Sequence, residues 1–449
     1  MTGEHQKIKR KLSVKDTSCG EAAAVSDWRG ETVGGEHETE SLVTIEEVIE
    51  RENLKRALQR VVSNAGSAGV DGMTVKQLPE FLKLHWLEVK EQLLAGRYKP
   101  QPVKKVEIPK PEGSKRTLGI PTVLDRFIQQ ALMQVMQKSW DPTFSESSYG
   151  FRPGRSAHLA VAKAQAHIQA GYAWVVDLDL EKFFDRVNHD RLMARVESRV
   201  QDRRVLKLIR DFLTAGVMCG GLITQSTEGT PQGGPLSPLL SNIVLDELDR
   251  ELENRGHRFV RYADDCNIYV QSQRAGERVK QTIGDFITRK LKLKVNEAKS
   301  AVDRPWNRKI LGFSLSAKEK KRRVAPKSVK RFKDKIRKAT SRCAGKSIEQ
   351  VAALLNPYLK GWQQYFAFAE HRHVFKELDS WIRRRLRSMM WKLWGTRQYR
   401  ELRARGVTQQ VAWVTSKAPH GPWRLSHCPA LQTALPFRFF RKVGLLTLA

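Results

Sequence analysis

Two aspartates stand side by side at Asp264-Asp265, with an alternating polar and apolar run on each side: Arg258-Phe259-Val260-Arg261-Tyr262 before, Asn267-Ile268-Tyr269-Val270-Gln271 after. Period-two alternation on both sides predicts a short antiparallel hairpin with the carboxylates at its tip. Adjacent carboxylates repel each other, and a fold that exposes them neutralises them with a cation. Magnesium suits best, being a hard ion that takes oxygen ligands and holds phosphates. Upstream, Trp174-Val175-Val176-Asp177-Leu178-Asp179-Leu180 is a second strand-like run that carries acids. Its period of two puts Asp177 and Asp179 on one face and Val176, Leu178 and Leu180 on the other. If this strand pairs beside the hairpin, one of its aspartates meets Asp264 and Asp265 around two Mg2+ ions. Such ions sit about 3.5–4 Å apart and stabilise both the attacking and the leaving oxygen in phosphoryl transfer. Taken alone, an Asp-Asp pair is more often a plain turn; the elements around it decide.

Those elements are legible in chain order. Residues 1–40 are polar, mixed in charge and carry one aromatic, Trp28, which predicts a disordered lead. Apolar residues at helical spacing from Leu42 to Val62 predict an amphipathic helix, broken by Gly66 through Gly72. Residues 97–122, rich in Pro, Lys and short β-like runs, suit a hairpin, with Lys110, Lys115 and Arg116 in or beside it. Ser156 to Gly171 reads as a capped helix leading into the Asp179 strand. In Thr230-Pro231-Gln232-Gly233-Gly234, two positions without side chains make a tight turn and let backbone approach another group closely. Ser237 and Pro238 read as N-cap and N1 of a helix through Glu253 with Gly256 as its stop. After the acidic hairpin, Thr282 to Leu291 reads as a helix, and Leu293-Lys294-Val295-Asn296 and Lys309 to Leu315 as short strands.

The chain has 449 residues, too many for one core. Its formal net charge is +32, from 80 Lys+Arg against 48 Asp+Glu, and a charge that large points to a polyanionic partner. Residues 318–342 hold 13 Lys/Arg and two acids, and residues 381–449 hold 14 and one. The positive surface therefore belongs to the C-terminal third. Within it, Leu355, Tyr358, Leu359, Trp362, Tyr365, Phe366 and Ala369 fall at helical spacing. In Trp381 to Trp394, Ile382, Leu386, Met389, Met390 and Leu393 share one side while Arg383, Arg384, Arg387 and Lys392 take the rest. The five cysteines, Cys19, Cys219, Cys266, Cys343 and Cys428, are scattered and odd in number, which favours neither a disulfide frame nor a zinc site. No apolar run approaches the length of a membrane span, so the expected location is the cytoplasm.

Tyr262-Ala263-Asp264-Asp265 resembles the active-site tetrapeptide of reverse transcriptases, in the form typical of bacterial group II intron-encoded proteins that lack the endonuclease domain. The resemblance runs in order from about residue 42 to the C-terminus. It includes Ala68-Gly69-Val70-Asp71-Gly72, Leu118-Gly119-Ile120-Pro121-Thr122 with Asp125-Arg126, and Tyr149-Gly150-Phe151-Arg152-Pro153. It continues through Asp179-Leu180-Glu181-Lys182-Phe183-Phe184-Asp185, Thr230 to Pro238 and Leu311-Gly312-Phe313.

The resemblance implies an α+β right-hand polymerase: fingers, a palm with an antiparallel sheet, a helical thumb, and a small basic C-terminal extension. The expected boundaries are 1–40 for the lead, 41–319 for fingers and palm (with an N-terminal extension at 41–64), 320–400 for the thumb or maturase domain, and 401–449 for a DNA-binding-like extension. It implies that Asp179, rather than Asp177, joins Asp264 and Asp265 as metal ligand, because Phe184-Asp185 must follow at fixed distance. Lys115 and Arg116 then hold the triphosphate of a deoxynucleoside triphosphate, with Lys299 near its phosphates and Gln232 beside it. Phe184 lies against C2′ of its sugar, one of Phe183 and Phe184 being core. Gly233 lies at the template, and Leu311 and Gly312 lead to the primer end. Lys330, Arg331, Arg383, Arg384 and Arg387 are the candidate contacts to group II intron RNA. The expected activity is RNA-directed DNA synthesis at a DNA target during retrohoming, with maturase assistance to splicing and no second-strand cleavage. Two alternatives stand beside it: a domesticated relative serving host defence or repair, and an RNA-binding splicing factor with an idle centre.

Overall fold

The computed structural model describes residues 43–109, 115–219, 222–224, 228–230, 233–341 and 345–449. The expectations for residues 1–40, Lys110 and Gln232 lie outside the described residues. Of Lys115 and Arg116 only the backbone is described. The described chain forms two compact units that divide between Ala325 and Pro326.

The strands, all in the first unit, are β1 (Val103–Pro109), β2 (Lys115–Ile120), β3 (Trp174–Leu178), β4 (Val217–Cys219), β5 (Leu222–Thr224), β6 (Arg258–Tyr262), β7 (Asp265–Val270), β8 (Ala301–Asp303), β9 (Phe313–Leu315) and β10 (Arg322–Val324). The palm sheet has the order β6-β7-β3-β8, antiparallel throughout. The fingers sheet has the order β2-β1-β4-β5, with β1 and β2 as the expected hairpin. Alternation along the palm strands sends Val176, Leu178, Cys266, Ile268 and Val270 into the main core. The opposite face keeps Asp177 and Asn267, paired in register.

The helix Gln273–Arg289 lies across β3, β7 and β8, starting nine residues before the expected Thr282. Gly276 weakens the helical pattern in the sequence, yet it is what lets the helix dock. A Cβ there would stand 3.3 Å from a methyl of Val270 and closer still to Val302. The expected strand Leu293–Asn296 is instead an extended stretch joined to the palm by a single bridge, Leu180 to Val295. The expected helix Leu42–Val62 breaks at Glu50 into Ile45–Val48 and Arg51–Asn64. Its first turn is anchored elsewhere: Asp202 accepts from Ile45 N at 2.9 Å, and Arg204 grips Glu46 through two hydrogen bonds of 2.7 and 2.9 Å. Asn53 then spans the break, donating to the carbonyls of Val48 and Ala131 at 2.8 and 3.0 Å. Helix Ser237–Asn254 begins with Leu236 at the cap, so Ser237 lies within its first turn.

The second unit is helical. Pro326–Ser341, Ile348–Phe366 and His373–Trp394 pack through Phe332, Trp362 and Phe375, whose ring centroids lie 4.5 Å (Phe332–Trp362) and 5.7 Å (Trp362–Phe375) apart. Short helices follow from Gln398 to Lys442. Among the described residues, no helix is long and apolar enough to cross a membrane.

Candidate active site

Tyr262 pairs with Asp265, so the hairpin turns in two residues, Ala263 and Asp264. Ala263 sits at φ 56°, a left-handed conformation that costs a non-glycine residue free energy unless its surroundings hold it. Arg261 does the holding. Its side chain is fully buried, and Nη1 donates to the Ala263 carbonyl at 2.9 Å. Nε and Nη2 chelate Asp249 at 2.7 and 2.6 Å, and Asn242 Oδ1 and Ser148 Oγ accept at 3.0 and 2.7 Å. Burial pulls the guanidinium down, but the Asp249 carboxylate outweighs it, and its pKa ends above the ordinary value.

The Tyr149-Gly150-Phe151 stretch braces the same tip. Tyr149 N donates to Arg261 O, and Arg261 N to Ser147 O, both at 2.9 Å. Gly150 has no room for a side chain: a Cβ would lie 3.0 Å from Tyr262 C, 3.1 Å from Ala263 Cα and closer still to Ala263 N. Sequence reasoning missed this support. Its signal was an acid on an apolar helical face, since Asp249 falls four residues after Leu245 and three before Leu252.

On β3 the register runs Asp177 to Asn267 and Leu178 to Cys266. Continued by one residue, it sets Asp179 opposite Asp265, on the face that Asp177 and Asn267 share. Asp179 N donates to Ser300 Oγ at 3.0 Å, and its carbonyl accepts from Asn296 N at 2.8 Å. Lys299 Nζ stands 3.9 Å from its carboxylate. Asp177 is engaged otherwise: Arg308 donates to it at 2.6 and 3.0 Å and Asn267 Nδ2 at 3.0 Å. Arg308 also donates to the Lys299 carbonyl at 2.7 Å, tying the Lys299 loop to β3.

Asp265 shows how much negative charge gathers here. The Asp265 side chain is exposed at the start of β7, yet the protein packed around its carboxyl takes away part of its hydration. That desolvation, then Asp264 and Asp177, with a smaller push from Asp179, raises its pKa to about 7 against the pull of Lys309. Among the described residues no three acids, cysteines or histidines close into a ready cage for a metal. At phosphoryl-transfer sites magnesium takes one or two carboxylates and leaves its other positions to water and substrate phosphates. The donor set is all oxygen and carries the crowded negative charge seen at Asp265, so the residues fit the ion.

Phe183 is buried in the core and Phe184 half-buried, their rings edge to face at 5.3 Å. Gly233, at φ 132°, presses on the fingers: a Cβ would come 2.7 Å from Gly119 O. Leu311 and Gly312, at φ 48° and 84°, make the two-residue turn between Ile310 and Phe313, which exchange hydrogen bonds of 2.9 Å.

In the second unit, Lys330 and Arg331 lie exposed on helix Pro326–Ser341. The arginines of His373–Trp394 are drawn into packing. Arg384 lies 4.2 Å from the Trp423 ring centroid, Arg383 5.3 Å from Phe437 and Arg387 5.7 Å from Phe440. Arg384 also donates to Trp423 O at 3.3 Å and Arg387 to Leu435 O at 3.0 Å.

Residues 108–315 match the family described as reverse transcriptase (RNA-dependent DNA polymerase), and residues 329–406 match the group II intron maturase-specific domain. The chain is 38% identical to protein YkfC of Escherichia coli K12 over 46% of this chain and 56% of that one. It is 36% identical to the group II intron-encoded protein LtrA of Lactococcus lactis over 43% of this chain and 32% of that one. It is 33% identical to an uncharacterized 91 kDa protein in a cob intron of Schizosaccharomyces pombe, over 42% and 22%. The matched stretch thus spans about half of the first relative and a third or less of the other two.

Proposed function

We propose, for a chain that belongs with the group II intron reverse transcriptase/maturases, that it is an RNA-directed DNA polymerase which also binds the intron RNA, assists its splicing and copies it at a DNA target. What supports this reading is the β3–β7 pairing: its last pair, Leu178 with Cys266, leaves Asp179 and Asp265 as the next residues of the two strands, and Lys299 lies 3.9 Å from the Asp179 carboxylate. In this reading the three acids hold two Mg2+ ions, which when bound neutralise charge on the primer 3′-oxygen and the departing pyrophosphate.

The chain's own groups do the rest. Ser300 and Asn296 fix the backbone of Asp179, so its carboxylate keeps one height on the sheet. Arg308 and Asn267 occupy Asp177, which supports Asp179 as the strand's ligand. Lys299 meets the phosphates of the deoxynucleoside triphosphate, joined by Lys115, Arg116 and Gln232. Phe184 closes the space that a 2′-hydroxyl would need. Gly233 borders the template, and the Leu311-Gly312 turn guides the primer end. Exposed Lys330 and Arg331 contact RNA phosphates, and Arg383, Arg384 and Arg387 contribute as the frame that fixes the aromatic C-terminal segment. The test is primer extension on an RNA template: Asp264→Ala loses cDNA synthesis and keeps RNA binding, whereas cDNA made at a comparable rate overturns the assignment.

A further inference from the structure

Phe184 stands on the single turn Phe183–Asp185, entered through Lys182 at φ 50°. That turn is fastened to a neighbouring segment. Thr230 N donates to Phe184 O at 2.6 Å, Gly229 N donates to Val187 O at 2.7 Å, and Glu228 bridges Asn188. Gly229, at φ 92°, passes so near that a Cβ would lie 2.9 Å from Phe184 O and 3.0 Å from Asp185 Cα. The segment Glu228–Thr230 therefore lies directly against the backbone that aims the Phe184 ring, and it leads straight into Pro231-Gln232-Gly233.

The segment is gripped from elsewhere by His189, the first residue of helix His189–Glu197. This ring is buried, and its Nε2 lies 2.6 Å from Gly229 O. A carbonyl oxygen only accepts, so Nε2 carries the proton and the contact fixes the ring's tautomer. A buried carbonyl deprived of its donor is costly, and the segment would shift to find another.

We propose that His189 is a positioning residue for sugar selection: through the Gly229 carbonyl it sets how far the Phe184 ring reaches into the nucleotide pocket. A 2′-hydroxyl adds one oxygen to the sugar, so a displacement on the order of 1 Å decides whether it fits, and misplacements of that size are worth up to about a hundredfold in rate. The proposal rests on the reading of Phe184 as the ring that meets C2′.

The test compares kcat/KM for a deoxynucleoside and the matching ribonucleoside triphosphate in single-nucleotide primer extension, with thermal melting in parallel. Four variants are needed: His189→Asn, His189→Gln, Phe184→Val and His189→Asn with Phe184→Val. The Gln amide nitrogen lies as many bonds from Cα as Nε2 of histidine and reaches Gly229; the Asn amide is one bond short. Phe184→Val should cut the deoxy-to-ribo ratio about a hundredfold and His189→Asn about tenfold. His189→Gln should restore most of the ratio, and the double variant should be no less selective than Phe184→Val alone. A His189→Asn ratio within twofold of the native one, or equal losses with both nucleotides that add to those of Phe184→Val, overturns the proposal. An unchanged ratio in Phe184→Val instead overturns the reading of Phe184 itself.

Discussion

Replacing Asp249 by alanine leaves the Arg261 guanidinium in the core with its charge uncompensated. Both side chains are fully buried, and Asp249 takes two of the five hydrogen bonds that the Arg261 guanidinium donates. Removing one partner of such a pair costs about 3–5 kcal/mol, a large share of the roughly 5–15 kcal/mol by which a domain is stable. The cost should be equal at low and high salt, since a buried pair is hardly screened. Urea unfolding followed by tryptophan fluorescence measures it. The double variant Asp249→Leu with Arg261→Met, which removes both charges and keeps the volume, should be more stable than Asp249→Ala. The native arginine also holds the Ala263 carbonyl, so the double variant should remain folded yet extend primers poorly. A cost below about 1 kcal/mol for Asp249→Ala, or a double variant that loses the sum of the single losses, would refute the reasoning.

Because partial desolvation and the neighbouring Asp264 and Asp177 raise the exposed Asp265 to about 7, protons and Mg2+ compete for it over the physiological range. Half-saturating Mg2+ for primer extension should be flat above about pH 8 and climb by up to about tenfold per unit below about pH 7; a constant requirement from pH 6 to 8 would contradict this. By the same sign, the metal-free protein should lose stability as pH rises from the ordinary aspartate value toward 7, and Asp265→Asn should remove that loss in pH-dependent melting. Gly150→Ala forces a Cβ onto the backbone at Ala263, and should cost about 1–3 kcal/mol in urea unfolding with a disproportionate loss of extension. Lys330→Ala and Arg331→Ala should each lower the salt slope of RNA affinity by about one, whereas Arg384→Ala should act mainly by loosening the segment around Trp423, seen as faster proteolysis there.

The parts legible in the sequence are those where side-chain period and backbone geometry agree. Alternation around Asp264-Asp265 gave the hairpin, and helical spacing gave the long helices of the second unit. The choice of Asp179 over Asp177 came from the family resemblance alone, and the structure adds that Arg308 and Asn267 engage Asp177. Lost to sequence reasoning were features made by contacts distant along the chain. The helix start before Thr282 was missed, since the value of Gly276 lies in what it lets Val302 and Val270 approach. The strand Ala301–Asp303 is three residues long, and its place is set by pairing with β3 rather than by any pattern of its own. The packing of Arg383, Arg384 and Arg387, expected as RNA contacts, was hidden because cation–π partners some forty to fifty residues later leave no periodic mark.

The convergence of Asp179 with the hairpin tip is tested most directly by comparing Asp179→Asn with Asp177→Asn in single-nucleotide incorporation on an RNA template, substitutions that change charge while keeping shape. The geometry predicts a loss of about a thousandfold or more for Asp179→Asn, about 4 kcal/mol in the barrier. For Asp177→Asn, whose partner is Arg308, it predicts a loss within about tenfold. Near-native incorporation by Asp179→Asn, or equal inactivation of the two variants, would contradict it.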